Sequence, residues 1–166
     1  MKKTILIPID FTIESLTIVK SALEQIEENQ KVNIILLHGA YLTDFITDLL
    51  FFSKAKFVES KSTREFNEAI EILKNKYASQ IDSIRKDVFT GSNQSAFNNY
   101  LEANNVDEAY IPKNYKFNRI NKRSFDLIPY IKKSKAVVTE IESSFRKEIP
   151  EKGKLAEIFY NGIPAN

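Results

Sequence analysis

The chain reads as a doubly wound α/β sandwich, a parallel sheet with helices on both faces. Three observations lead there. Two short continuous apolar runs, "TILIPI" (4–9) and "VNIILLHGA" (32–40), read as strands buried on both faces. Between them Ile13, Leu16, Val19, Leu23 and Ile26 recur at helical spacing. The alternation then continues, so the elements follow as β-α-β-(α)α-β-α-β-α-β. The right-handed crossover rule turns that order into helices on both sides of one sheet.

Each element has its own signal. Pro8 marks the exit of the first strand. Thr12 is placed to cap the following helix, with Ser15 in its first turn, and "EENQ" ends that helix on polar ground. Gly39 closes the second strand. "YLTDFITDLLFF" (41–52) carries Leu42, Phe45, Ile46, Leu49 and Phe52 at helical spacing and predicts a short extra helix. Residues 62–78 predict a longer one, with Phe66, Ala69, Ile70, Leu73 and Tyr77 facing inward. "IDSIRKDVFTG" (81–91) is more polar and fits an edge strand. Ser92 or Asn93 caps a helix that buries Ala96, Phe97, Tyr100 and Leu101. "VDEAYIP" (106–112) is the fourth strand, a helix is expected around Ser124–Lys133 although Pro129 interrupts it, and "AVVTEI" (136–141) is the fifth strand. Residues 1–141 thus form one α/β domain. Residues 142–166 form a charged extension whose Leu155, Ile158, Phe159 and Tyr160 are expected to dock on the core or on a partner subunit.

Composition narrows the function. The 166 residues are 43% hydrophobic and 28% charged, as in a soluble globular protein. A net charge of +2 is too small to imply nucleic acid or an anionic membrane as partner. With no cysteine there is no disulfide, thiol nucleophile or thiolate metal site. No apolar run approaches a membrane span, and "MKKTILIPID" is too short in apolar residues for a signal-peptide core, so cytoplasmic residence is expected.

The opening "ILIPIDFTIESLTIVKSALEQIEENQKVNIILLHG" resembles that of the universal stress protein family. A strand ends in Pro-x-Asp, a hydroxyl-bearing turn and a helix follow, and the next strand ends in Leu-His. The resemblance covers nearly all of residues 3–141. It implies a flavodoxin-like sheet of five parallel strands in order 3-2-1-4-5, and a homodimer formed through the last strand. Members that bind ATP carry a loop of Gly, two residues, Gly, nine residues, Gly, then Ser or Thr, between the fourth strand and the last helix. Here Pro112, Tyr115 and Arg123 stand where the glycines would be, and Ser124 alone fits. Glycine lets backbone amides reach phosphate without a Cβ in the way, and proline has no N–H to donate. The ATP site in the family's usual form is therefore expected to be lost.

In its place the chain has "AYIPKNYKFNRINKR" (109–123). Lys113, Lys116, Arg119, Lys122 and Arg123 run there with no acidic neighbour, interleaved with Tyr115 and Phe117. A solvated basic surface is the plain reading. A side-chain-built anion site or a dimer contact comes next, and single-stranded nucleic acid last. Asp10 ends the first strand at the crevice where open α/β sheets bind ligands, and it is equally placed as a turn or cap aspartate. In nucleotide-binding members of the resembled family the matching aspartate contacts the adenine end. The crevice candidates are Asp10, Lys113, Arg123 and Ser124. His38, the one histidine, is expected to be a satisfied structural residue rather than a metal ligand. A triad of Ser15, His38 and Asp10 exists on paper but lacks a nucleophile elbow.

No complete catalytic set, metal site or cofactor motif emerges. The expected role is a non-catalytic stress-response or regulatory binding protein, acting as a homodimer or with a protein partner. The alternative is a sensor of a nucleotide or other small anion at the C-terminal ends of the first and fourth strands.

Overall fold

A computed structural model describes residues 2–42, 50 and 52–142. Five parallel strands form the sheet in spatial order β3-β2-β1-β4-β6: β1 Lys3–Pro8, β2 Val32–Ala40, β3 Ile81–Phe89, β4 Glu108–Pro112 and β6 Val137–Ile141. The two-residue β5, Ser124–Phe125, pairs antiparallel with the end of β2. The helices are α1 Leu16–Gln25, α2 Lys54–Lys61, α3 Arg64–Lys76, α4 Gln94–Ala103 and α5 Ile128–Lys132.

Side chains alternate across the strands, and each face meets its own helices. Ile5, Ile7, Ile34 and Leu36 point into one core with Leu16, Leu23, Phe66 and Leu73. Leu6, Ile35, Leu37 and Ile111 point into the other with Phe97, Leu101 and Ile131. That is why the central strands lack an apolar–polar alternation in sequence. The edge strand β3 does expose polar side chains, as its composition predicts.

Local chemistry sets the element ends. Thr63 caps α3 by accepting from the Phe66 amide at 3.1 Å, and Asn93 caps α4 by accepting from the Ala96 amide at 2.8 Å. Buried Gln80 donates to the carbonyls of Leu23 and Ile26 at 2.9 and 2.8 Å, closing the C-terminal end of α1. Thr12 Oγ1 accepts from the Ser15 amide at 3.3 Å, but α1 begins later than expected: Ser15, not Thr12, stands at its N-cap, and its side chain makes no cap bond. The amides of Leu16, Thr17 and Ile18, the first turn of α1, make i→i+3 bonds to the carbonyls of Ile13, Glu14 and Ser15. Pro112 ends β4 beyond the last β1 partner, Ala109, so its missing N–H leaves no gap on that side.

Three further expectations need correction. The helix predicted around Ser124–Lys133 is a strand followed by a helix. Ser124 and Phe125 pair with Ala40 and Gly39, and α5 starts only at Ile128. Pro129 does not break that helix but lies in its first turn, where a fixed φ and an absent N–H fit. Helix α2 falls outside the predicted spans: it buries only Val58, so it has no stripe to read. The predicted helix over 41–52 and the four apolar tail residues lie mostly outside the described residues. Of that span, Tyr41, Leu42, Leu50 and Phe52 are described, and all four are exposed. Among the described residues no helix is long and apolar enough to cross a membrane.

The close approach of β5 to β2 depends on Gly39. A Cβ there would stand 2.9 Å from the Phe125 carbonyl oxygen and 2.9 Å from its ring. Gly39→Ala is expected to push β5 away and to destabilise by about 1–3 kcal/mol, read as a lower urea midpoint with an unchanged slope.

Candidate functional site

The C-terminal ends of β1 and β2 face the long connection from β4 to β5, residues 113–123. Three features lie there: two buried polar centres and a cavity.

The first is Asp10. Its side chain is fully buried, two residues past β1. A buried carboxylate needs donors on both oxygens. Oδ1 accepts from the Thr12 amide at 3.2 Å and from the Thr12 hydroxyl. Oδ2 accepts from the Tyr115 hydroxyl and from the Asn118 amide, each at 2.8 Å. The β4–β5 connection is thus strapped onto Asp10 through one side chain and one backbone amide. Burial and the Asp10 charge push the Tyr115 hydroxyl well above the ordinary tyrosine range, so it stays a donor. Between Asp10 and Thr12, Phe11 has φ of 60°, a left-handed backbone that a bulky residue rarely adopts. Its buried ring packs against His38 and Phe66, with centroids 5.4 and 5.7 Å apart, and that packing holds the turn.

The second centre is His38, near the end of β2 and 4% exposed. Its Nδ1 lies 2.9 Å from the Ile9 carbonyl, which fixes that nitrogen as the donor. Nε2 is then free to accept from the Ser124 hydroxyl at 3.0 Å. Burial lowers the His38 pKa, against the opposing pull of the Ile9 carbonyl and the Asp10 charge.

The third is a cavity of about 510 Å³ beside this pair. Its floor is the β1 and β2 ends with His38 and Ser124. Its walls include Phe117, Phe125 and Leu127, and Lys116 and Arg119 line it from the connection. The Tyr41 ring, stacked on Phe125 at 4.2 Å between centroids, also lines it.

The candidates from sequence fall differently around these centres. Asp10 lies under the strap, and Ser124 lines the cavity and bonds His38. Lys113 and Arg123 are exposed and do not line it. Lys113 contributes its amide to the Ile141 carbonyl at 2.8 Å, and Arg123 its carbonyl to the Tyr41 amide at 2.9 Å. The basic residues on the cavity are Lys116 and Arg119. The Ser15–His38–Asp10 triad is not assembled, because Ser15 Oγ donates to the Thr12 carbonyl and the other two have the partners given above. The His38–Ser124 bond spans 86 residues and left no local signal in the sequence. Among the described residues no cluster of three or more His, Asp or Glu is arranged to hold a metal ion.

Two measurements test this geometry. Asp10→Ala leaves the Tyr115 hydroxyl and the Asn118 and Thr12 amides without their acceptor, so a loss of about 1–3 kcal/mol is expected in urea unfolding. Tyr115→Phe removes one donor and leaves three, and should cost less. For His38 the sign follows from its lowered pKa. The folded chain keeps the imidazole neutral, while the unfolded chain takes up a proton as pH falls below the ordinary 6.5. The His38 contribution is full above 6.5 and is lost as pH falls from there toward the lowered folded value. The melting temperature of the wild type should therefore drop below that of His38→Asn, relative to their difference above 6.5, as the buffer is made more acidic.

Solved structures resemble this chain over most of its length. The hypothetical protein PH0823 aligns with a TM-score of 0.53 at 19% identity, over 88% of this chain and 99% of that one. The hypothetical protein MJ0577 aligns with a TM-score of 0.51 at 19% identity, over 88% and 99%. The universal stress protein UspA from Lactobacillus plantarum aligns with a TM-score of 0.50 at 13% identity, over 84% and 97%. No protein-family model matches the sequence, and no curated protein matches it significantly. The chain shares the flavodoxin-like α/β fold of universal stress proteins.

Proposed function

We propose that this chain, built on the universal stress protein fold, is a non-catalytic regulatory binding protein of that family, one that does not bind ATP in the family's usual way. The observation that carries this reading is the closure of Asp10. All four of its hydrogen bonds come from within the chain, and two come from the very connection that would cradle phosphate. A ligand that needs this carboxylate must first displace Tyr115 and Asn118. The connection also offers no glycine, so it lacks the residue that most readily lets a loop wrap its backbone around a phosphate chain. The stress-response role rests on the resemblance and the fold.

We further propose that two copies associate through β6. Among the described residues it is the outer strand of the sheet, paired on one side with β4, and Val137 on it is 64% exposed. The second reading, a small-anion sensor at the strand ends, draws support from the cavity next to His38.

Native mass spectrometry of the purified protein, with and without added ATP, tests the main reading. A bare dimer whose mass ignores ATP is expected. A co-purified nucleotide or ATP adducts would overturn the closed-crevice reading, and a monomer at micromolar concentration would overturn the association.

A further inference from the structure

We infer that the cavity beside His38 binds a compact amphipathic anion, an aromatic carboxylate, with its apolar body against Phe117, Phe125 and Leu127 and its charged head toward Lys116 and Arg119. The inference deepens the small-anion reading above and needs Asp10 to stay closed only for its exclusion of nucleotides.

Size, lining and charge lead to this class. At about 510 Å³ the cavity falls within the range of roughly 300–1,000 Å³ typical of small-molecule sites. Its walls are largely aromatic and aliphatic. On the floor, His38 Nε2 and the Ser124 hydroxyl satisfy one another, so the floor does not demand a strongly polar ligand group. The charge sits at one side. Among the described residues, neither Lys116 nor Arg119 takes part in an ion pair, although six other pairs form. Arg119 uses one Nη2 contact, 3.1 Å to the Lys122 carbonyl, and keeps its other guanidinium donors. Asp126 is the carboxylate on the lining, and its Oδ1 is engaged by the Ile128 amide at 2.9 Å. Two cations against one occupied carboxylate leave a net positive lining that a single anionic head would neutralise.

A polyphosphate fits this chemistry poorly. It carries several negative charges, more than Lys116 and Arg119 beside Asp126 balance, and the Asn118 amide is turned toward Asp10. A ligand with one negative head and an apolar body needs neither glycines nor the aspartate.

Isothermal titration calorimetry separates the outcomes, with 2-naphthoate, neutral 2-naphthalenemethanol and ATP as probes. The proteins are the full chain and its Lys116→Ala/Arg119→Ala variant. Both replaced residues are exposed, and circular dichroism checks that the variant folds. Naphthoate is expected to bind, about tenfold or more weaker in the variant, and the neutral alcohol about tenfold or more weaker in the wild type. No binding at millimolar naphthoate would overturn the inference. So would equal affinity for acid and alcohol, or equal affinity in wild type and variant. Naphthoate failing while ATP stays inert sinks this inference alone; ATP binding with the affinity of naphthoate sinks both it and the closed-crevice reading.

Discussion

A carboxylate removed from water at the end of a parallel sheet must be surrounded by donors, and the upper half of this molecule is arranged around that demand. Asp10 meets it with two donors from Thr12, close in sequence, and two from the β4–β5 connection, over a hundred residues away. The local pair requires the backbone to double back immediately after β1. That reversal puts Phe11 into a left-handed conformation, which disfavours a bulky residue by roughly 1–2 kcal/mol. Burial of the Phe11 ring between His38 and Phe66 offsets it. The distant pair holds a basic, glycine-free connection down over the strand ends. Tyr115, Phe117 and Ile120 of that connection also pack on the core, and backbone bonds at Lys113 and Arg123 fix its two ends, so the carboxylate ties down the middle of a segment already anchored.

The same constraint sorts the basic residues of the connection. With Tyr115 and Asn118 pinned to Asp10, Lys116 and Arg119 fall on the cavity, while Lys113 and Arg123 use their backbones to reach β6 and Tyr41. Their side chains remain in solvent. The connection thus combines a structural tie and a charged cavity wall in adjacent residues. The tie to Asp10 and the lining of the cavity are consequences of a single loop conformation.

The sheet was legible because its central strands are buried on both faces, which writes continuous apolar runs into the sequence. Helix α3 was legible through its four buried residues, and α2 was not, because one buried valine makes no stripe. The strand at Ser124–Phe125 was hidden for a different reason. It exists because Gly39 lets another chain segment approach, and "RSFDLI" has no strand signal of its own. At the site, Asp10 was legible from its position at a strand end. Tyr115 was noted as standing where the resembled family has a glycine but not as a donor to Asp10, since one-dimensional order carries no information on which hydroxyl meets which carboxylate. Ser124 was singled out as the surviving position of a phosphate motif, and its hydrogen bond to His38 could be found only by folding the chain.

That bond gives the molecule an unplanned property. With one histidine and no tryptophan in the chain, the imidazole protons of His38 form a single, unambiguous magnetic resonance signature. The ring touches the β1 end through Ile9, β5 through Ser124 and the post-β1 turn through Phe11. Any rearrangement of the strap or the cavity floor must alter its surroundings. The protein therefore carries, at the junction of its two upper sites, a built-in probe that needs no label and reports from a buried position that surface chemistry does not reach.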